Sequence, residues 1–149
     1  MKRVMIIGAV GSGKSSLVRA LLNEQQPVQK TQALDFRDWI IDTPGEYAEN
    51  PLYYRSLMAT SLEAGMVLLV QDATRDRNYF PPGFAQGFPL HPVGVITKAD
   101  HPQANVERAI SLLRESMPVG DIFITSSITM EGVDTLEQYL LKKGQDSER

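Results

Sequence analysis

The segment from Gly8 to Ser15 constrains the fold of this 149-residue chain more than any other feature. It matches the pattern G-x-x-x-x-G-K-[ST], it follows an apolar run from Arg3 to Ile7, and it precedes apolar residues at helical spacing. Glycines let such a turn present backbone N–H groups to phosphate oxygens, and the N-terminus of the following helix adds a positive end. In this context the pattern predicts a phosphate-binding loop between a first strand and a first helix.

Each residue of the loop receives an expected role from this chemistry. Lys14 is expected to reach the β and γ phosphates of a nucleotide, and the Ser15 hydroxyl to bind Mg2+ as a hard-oxygen ligand. A glycine-rich turn without any ligand remains the alternative. The residues predicted to contact the nucleotide here are Gly8, Ala9, Val10, Gly11, Ser12, Gly13, Lys14, Ser15 and Ser16.

Alternation of short apolar runs with helical segments predicts an α/β fold with a mostly parallel sheet. Helices are expected after Gly13, from Asn50 with Tyr54, Leu57, Met58 and Leu62 buried, from Val106 to Met117, and from Val133 to Gly144. The predicted strands are Arg3 to Ile7, Trp39 to Ile41, Met66 to Gln71, Val93 to Ile96 and Ile122 to Thr125, with a weaker sixth from Ala33 to Arg37.

The connection from Asp72 to Pro92 is rich in proline and glycine, which disfavours a long helix. We expect the third helix of the fold to be reduced here to a loop with at most one short helical turn near Phe84. One face of the sheet would then be less well covered. Phe80, Phe84 and Phe88 would form a docking patch for a partner if exposed, and Tyr47, Tyr53 and Tyr54 are a second candidate surface, although half-buried packing is the commoner role of such residues.

Composition excludes several classes of function. The formal net charge is −3 and no run of Lys or Arg occurs, so nucleic acid is not an expected partner. No apolar run approaches the roughly 20 residues of a membrane-spanning helix, so we expect no membrane insertion and a soluble, cytoplasmic protein. We expect one domain over residues 1–144 with a frayed tail over 145–149, present as a monomer or weak dimer.

A second motif, Asp42-Thr43-Pro44-Gly45, ends a predicted buried strand. In a D-x-x-G arrangement the aspartate orients a water molecule on Mg2+ and the glycine N–H faces the γ phosphate. The motif therefore makes Asp42 a candidate metal residue and Gly45 a candidate catalytic residue. The same four residues also form a common turn at the end of a strand, so this reading stays open.

A third motif, Thr97-Lys98-Ala99-Asp100, ends another predicted strand. The pattern [NT]-K-x-D suits guanine, because a carboxylate accepts two hydrogen bonds from the N–H groups of that base while the lysine stem packs over the ring. Adenine has no such donor pair, so Asp100 would favour GTP over ATP. The alternative is that Asp100 caps the helix that follows.

The order of the three motifs resembles that of the Ras-like GTPase superfamily, which implies a three-layer P-loop NTPase fold, the Ras-like G domain. The resemblance implies GTP or GDP and Mg2+ as ligands. It also implies that Ser126 and Ser127 belong to the last guanine-contacting motif.

Within this superfamily, Lys30-Thr31-Gln32-Ala33 and Asp42-Thr43-Pro44-Gly45-Glu46-Tyr47 resemble the ethanolamine-utilisation and propanediol-utilisation proteins EutP and PduV. The resemblance implies that Thr31 touches Mg2+ and the γ phosphate. It also implies association with a bacterial microcompartment, with a shell protein or enzyme as partner.

Two residues depart from the superfamily pattern. Glu46 replaces the glutamine that orients the attacking water, and Val10 replaces a small glycine beside the γ phosphate. A carboxylate next to a polyanionic nucleotide is repelled, so slow hydrolysis is expected from the catalytic set of Lys14, Thr31, Gly45 and Glu46. Phosphoryl transfer from ATP or GTP to a small acid or alcohol, and a docking module with negligible turnover, remain alternatives to a nucleotide-controlled switch.

Overall fold

The computed structural model describes residues 3–22, 35–37 and 39–146, and these form an α/β structure around one six-stranded sheet. The sheet order is β2-β3-β1-β4-β5-β6, with β2 antiparallel to β3 and every other neighbouring pair parallel. The predicted fold class and mostly parallel sheet are therefore confirmed. The strands are β1 (Arg3–Ile7), β2 (Asp35–Arg37), β3 (Ile40–Asp42), β4 (Ala64–Asp72), β5 (His91–Thr97) and β6 (Asp121–Ile124).

Helices cover both faces of this sheet. They are α1 (Lys14–Leu22), α2 (Gly45–Glu49), α3 (Tyr54–Ser61), α4 (Val106–Ser116) and α5 (Val133–Asp146), with short 3-10 helices at Pro51–Tyr53 and Phe84–Gly87. Side chains alternate between the faces along β1, so Val4 and Ile6 pack with α1 and α5. Met5 and Ile7 pack on the opposite face with residues of α3 and α4. Of the described helices, none has the length and apolar character needed to cross a membrane.

Three phenylalanines fill the space left by the reduced third helix. The connection after β4 is a loop with one 3-10 turn at Phe84–Gly87, as predicted. Phe80, Phe84 and Phe88 are all buried, with ring centroids 5.1 and 5.3 Å apart in successive pairs. The expectation of a less well covered sheet face is therefore wrong, because aromatic rings supply the area that a helix would have buried. A docking patch at these three residues is excluded for the same reason.

Helix α3 buries only part of the face that was predicted. Leu57 is buried and Tyr54 is half-buried, but Met58 is 41% exposed and Leu62 is 82% exposed. Thr60 and Ser61 face the core instead, and their hydroxyl groups donate to backbone carbonyls within the helix. Local back-bonding satisfies these hydroxyls, so polar residues occupy positions where the apolar pattern predicted Met58 and Leu62.

The last helix extends further than predicted. Helix α5 continues to Asp146, two residues beyond the end predicted at Gly144. Its predicted buried stripe of Val133, Leu136 and Leu140 is confirmed.

Candidate functional site

The glycine-rich loop joins β1 to α1 and has the backbone conformation that its glycines permit. Gly11 and Gly13 have φ angles of 75° and 91°, in the left-handed region that disfavours side chains. The backbone N–H of Ser12 donates to Ala9 across the turn at 3.0 Å. Helix α1 then begins at Lys14, so the predicted order of strand, loop and helix is confirmed.

Lys14 and Asp42 form an ion pair at the carboxyl ends of β1 and β3. These strands are parallel neighbours, with Ile6 in register with Asp42. The Nζ atom of Lys14 donates to the Asp42 carboxylate, and both side chains are buried, at 5% and 7% exposure. Two residues that were predicted separately, from motifs 28 residues apart, thus meet in one place.

The D-x-x-G motif packs directly on the glycine-rich loop. A Cβ atom on Gly45 would lie 2.7 Å from the backbone N of Val10 and 2.9 Å from its Cα, so only glycine fits at position 45. Thr43 fixes the preceding turn by donating from Oγ1 to the Ile6 carbonyl at 2.8 Å. Glu46 is half-buried in the first turn of α2, a short helix that the sequence did not predict.

Of the three tyrosines after this motif, two are half-buried and one is exposed. The rings of Tyr47 and Tyr53 stack with centroids 4.6 Å apart. Tyr54 lies 5.2 Å from the ring of Phe84, and burial raises the pKa of its phenol. Tyr53 is the exposed member of the three. The half-buried packing alternative therefore holds for Tyr47 and Tyr54.

The T-K-x-D motif is bonded to the other side of the glycine-rich loop. The Thr97 hydroxyl donates to the carbonyl of Ser12, and Lys98 Nζ donates to the carbonyl of Gly11 at 2.9 Å. Lys98 has a φ of 60°, an uncommon conformation for a residue with a side chain. Such outliers persist where surrounding contacts determine them, and here the contacts join the two motifs.

Asp100 lies exposed at the rim of this region. The alternative role as a helix cap is excluded, because Asn105 caps α4 by accepting from the backbone N–H of Arg108 at 3.0 Å. The carboxylate at position 100 is therefore exposed beside the loop instead of being used to begin the helix.

The loop after β6 completes this end of the sheet. The Thr125 carbonyl accepts from the backbone N–H of Ala99 at 3.1 Å, which ties the loop to the T-K-x-D motif. Ser126 is buried, and its Oγ accepts from the backbone N–H groups of Ile128 and Thr129 at 3.2 and 3.1 Å. Ser127 is half-buried beside it. The hydroxyl of Ser126 thus shapes the loop itself.

Two residues of the site were missed by the motif search, and the first is Asp72. Its carboxylate is 1% exposed and accepts from Lys98 Nζ at 2.8 Å and from Thr74 N and Oγ1 at 2.8 and 2.7 Å. Burial acts to raise the pKa of Asp72, but the hydrogen bonds from Lys98 and Thr74 outweigh it and hold that pKa below its usual value. An Asp-x-Thr turn directly after an apolar strand was the available signal.

The second missed residue is Arg75, which follows in the same loop. Its Nη2 atom donates to the carbonyl of Val10 at 2.6 Å. No motif marks this arginine, because its function in the structure depends on a contact 65 residues away along the chain. Thr31, predicted as a metal and catalytic residue, lies outside the described residues.

The donor set at the Lys14 end fits Mg2+. Ser15 offers a hydroxyl in the first turn of α1, and Asp42 offers a carboxylate at the end of β3. Mg2+ takes oxygen ligands and in nucleotide sites needs only one or two protein groups beside phosphate and water. The chemistry of these two side chains therefore suits the ion predicted from the motifs.

Comparison with known proteins agrees with this geometry. The PduV-EutP family model, described as ethanolamine utilisation - propanediol utilisation, matches residues 1–142. The propanediol utilization protein PduV of Citrobacter freundii is 38% identical over 146 residues, 96% of this chain and 95% of that protein. The probable acetate kinase EutP of Escherichia coli K12 is 35% identical over 142 residues, 94% of this chain and 89% of that protein.

A solved structure from a more distant protein has a similar fold. Translation elongation factor SelB from Methanococcus maripaludis, in complex with the GTP analogue GppNHp, matches with a TM-score of 0.61 and 20% identity. The match covers 95% of this chain and 33% of the SelB chain, so this chain spans about one third of SelB. At that identity the likeness concerns the fold alone, and it agrees with the predicted P-loop NTPase fold.

Proposed function

The chain belongs to the PduV-EutP family of ethanolamine utilisation and propanediol utilisation proteins, and we propose that it is a GTP-binding protein that hydrolyses GTP slowly and acts as a nucleotide-controlled switch. The observation that carries this proposal is the convergence of three sequence motifs on one loop. Gly45 packs on Val10, and Thr97 and Lys98 donate to the carbonyls of Ser12 and Gly11. Only a ligand with both a phosphate tail and a base would use all three motifs together.

The phosphates would bind along the glycine-rich loop. Backbone N–H groups from Gly8 to Ser16 would bind the phosphate oxygens, and the N-terminus of α1 favours the negative charge. Lys14 would exchange its present partner, Asp42, for the β and γ phosphates. The buried ammonium group is positioned for this exchange because it already lies at the start of α1.

Mg2+ would be held by the Ser15 hydroxyl, through water by Asp42, and by Thr31. When bound, the ion withdraws charge from the β and γ phosphates. The protein residues contribute the rest by fixing the loop, binding the phosphates and orienting the nucleotide.

The base would lie between the T-K-x-D motif and the loop after β6. Asp100 would accept two hydrogen bonds from guanine, and the Lys98 stem would pack over the ring. The backbone N–H of Ser127 would donate to the guanine oxygen. The exposure of Asp100 and the bond between Ala99 and Thr125 support this arrangement.

The switch would reside in the segment from Gly45 to Tyr47 together with Thr31. Interaction with the γ phosphate would order these residues and hydrolysis would release them. We propose that the readout is binding to a microcompartment shell protein or enzyme, on the grounds of the family's description. The protein would act as a single cytoplasmic domain, monomeric or weakly dimeric, without nucleic acid.

Calorimetry with the purified chain tests the nucleotide. We expect GDP and the GTP analogue GppNHp to bind at millimolar Mg2+ while ADP and the corresponding ATP analogue do not. Absence of guanine nucleotide binding by folded protein would refute the proposal.

Two variants of Asp100, each measured with a guanine and a xanthine nucleotide, test the position of the base. Xanthine carries a carbonyl where guanine carries its exocyclic amine, so Asp100→Asn, whose amide can donate, should weaken GDP and strengthen xanthosine diphosphate binding. Asp100→Ala should weaken both. Equal affinity for GDP in wild type, Asp100→Asn and Asp100→Ala would show that Asp100 does not contact the base.

A second candidate function is phosphoryl transfer to a small carboxylate. One relative is named a probable acetate kinase, and Glu46 occupies the position of the water-orienting glutamine. Incubation with γ-labelled GTP or ATP, with and without acetate, distinguishes the two. Label in inorganic phosphate alone supports hydrolysis, whereas label in an acyl phosphate supports the transferase.

A further inference from the structure

Arg75 brings a positive charge to the glycine-rich loop from outside every motif. Its guanidinium Nη2 donates to the Val10 carbonyl at 2.6 Å, and its Nε lies 3.5 Å from the Asp72 carboxylate. The side chain is 26% exposed, whereas that of Asp72 is 1% exposed. The guanidinium therefore lies at the surface of the loop and not in the core beneath it.

Val10 marks the end of the loop where a γ phosphate would lie. Gly45 packs against the backbone N and Cα of Val10, while Arg75 binds its carbonyl. In proteins with a P-loop and a D-x-x-G motif, the groups that correspond to Lys14 and Gly45 contact the γ phosphate. Arg75 thus contacts the same loop residue as the D-x-x-G glycine.

Phosphoryl transfer would place negative charge at this end of the loop. Glu46 adds a carboxylate beside Gly45, next to the position of the most highly charged phosphate. Phosphoryl transfer is catalysed largely by positioning and by offsetting charge on the transferred group. A guanidinium has five N–H donors in a planar fork, and the contacts of Arg75 with Val10 and Asp72 are made by its Nη2 and Nε atoms.

We propose that Arg75 is an intramolecular arginine that turns from the Val10 carbonyl to the γ phosphoryl group and stabilises its transfer. This inference rests on the proposed GTP-binding function. In the step concerned, a water oxygen forms a bond to Pγ and the bond from Pγ to the β,γ-bridging oxygen breaks. The electron pair stays on that oxygen of GDP, and the proton of the water passes to the phosphate released.

A purely structural role is the competing explanation. Arg75 could serve only to hold the Val10 carbonyl and so keep the loop in shape. The two roles predict different ligand dependences. Loss of loop shape weakens every nucleotide equally, whereas loss of a charge that acts on the transferred group weakens only complexes that imitate that group in transfer.

The test compares Arg75→Gln with a matched control, Arg77→Gln. Glutamine keeps an amide donor that can reach the Val10 carbonyl but removes the charge. Arg77 is exposed, and its guanidinium lies 4.7 Å from the ring of Tyr79, the same ring that Arg75 approaches at 5.5 Å. Affinities for GDP with and without aluminium fluoride are measured by calorimetry, together with the hydrolysis rate in single turnover.

We expect Arg75→Gln to bind GDP within about threefold of wild type and to lose at least ~100-fold of the affinity gained with aluminium fluoride. Its hydrolysis rate should fall by ~10³-fold, and Arg77→Gln should match wild type in every measurement. If Arg75→Gln does not fold, Arg75→Lys replaces it. Lysine keeps the charge without the planar fork, so its aluminium fluoride effect should be intermediate.

Three outcomes overturn the inference. They are equal weakening of GDP and of the GDP–fluoride complex by Arg75→Gln, no change in either, and a wild-type protein that binds GDP without any gain from aluminium fluoride. In all three cases GDP binding by the wild type leaves the proposed function standing. Failure of the wild type to bind GDP at all refutes the proposed function itself, and the inference falls with it.

Discussion

The two sides of the glycine-rich loop are held by different kinds of contact. On the side of β4 and β5, Thr97 and Lys98 donate to the loop carbonyls of Ser12 and Gly11. On the side of β3, Lys14 is paired with the Asp42 carboxylate. The contacts on the side of β4 and β5 occupy backbone carbonyls, which do not bind phosphate. The contact on the side of β3 occupies the Lys14 ammonium group, which would bind phosphate.

This difference separates a preformed half of the site from a half that must change. Bonds to carbonyls can persist when N–H groups of the same loop bind phosphate. The pair of Lys14 and Asp42 cannot persist unchanged, because both members have other partners in the proposed complex. A buried pair is costly to break when one partner is left alone, so phosphate and Mg2+ would have to arrive together to satisfy both charges.

Among variants that break one of these two sides, Asp42→Asn on the β3 side has the largest expected effect. Groups that orient metal-bound water typically contribute 10–100-fold to metal affinity, so Mg2+ should bind the GppNHp complex about 10–100-fold more weakly. Affinity for GppNHp in EDTA should not fall, because Lys14 is released from its carboxylate partner. The measurement is a Mg2+ titration of nucleotide binding by calorimetry.

Asp76→Asn is the control for this variant, since Asp76 is exposed in the loop after β4. An equal loss of affinity with and without Mg2+ in Asp42→Asn would contradict the comparison. It would mean that Asp42 maintains the loop rather than serving the ion.

The next largest effect comes from Lys98→Ala, which breaks the β5 side alone. It removes the bond to Gly11 and leaves the buried Asp72 carboxylate without its ammonium partner. Hydrogen bonds to charged groups contribute roughly 1.5–3 kcal/mol, and we expect the lower end because Lys98 is partly exposed. GDP affinity should fall about tenfold with or without Mg2+, and the free energy of unfolding by about 1.5 kcal/mol.

Calorimetry and urea unfolding measure these two changes, with Lys142→Ala on the exposed surface of α5 as control. A loss of GDP affinity that occurs only in the presence of Mg2+ would contradict the comparison, because it would mean that Lys98 and not the β3 side serves the ion.

A smaller effect is expected from Glu46→Gln. Removing a carboxylate beside the γ phosphate relieves repulsion of about 1 kcal/mol, as for unit charges near 4 Å in a high-dielectric surrounding, so GTP turnover should rise roughly fivefold. Phosphate release in single turnover measures the change, and Glu49→Gln, at the exposed end of α2, is the control. An unchanged or lower rate would show that repulsion does not limit hydrolysis.

The sequence was sufficient to place the motif residues at the ends of strands, because their spacing follows from strand, turn and helix geometry. The glycine-rich loop, Asp42 and Lys98 could be predicted in this way, and the parallel sheet follows from the same alternation. Asp72 and Arg75 could not, because their importance comes from contacts with Lys98 and Val10 that the topology creates. The burial of Phe84 could not be predicted either. No periodicity distinguishes a loop aromatic residue that packs where a helix would lie from a loop aromatic residue that is exposed.

The smallest expected effect concerns the pH dependence of protein stability, to which Asp72 contributes on the side of β4 and β5. The hydrogen bonds from Lys98 and Thr74 hold the pKa of Asp72 below its unfolded value in spite of its burial. Between those two pKa values the unfolded chain binds more protons than the folded one, so stability falls as pH decreases. The contribution of Asp72 is complete above its unfolded pKa, near 4, and is lost as pH falls through the folded value.

Asp72→Asn removes this titration while its amide oxygen can still accept from Thr74. Urea unfolding from about pH 6 downward should therefore show a shallower loss of stability in the variant than in wild type, by at most about 1 kcal/mol. Asp76→Asn should follow wild type. Parallel curves for Asp72→Asn and wild type would mean that the carboxylate gains nothing from Lys98 on folding. The hydrogen bonds from Thr97 to Ser12 and from Lys98 to Gly11 would then hold this side of the loop without help from the ion pair.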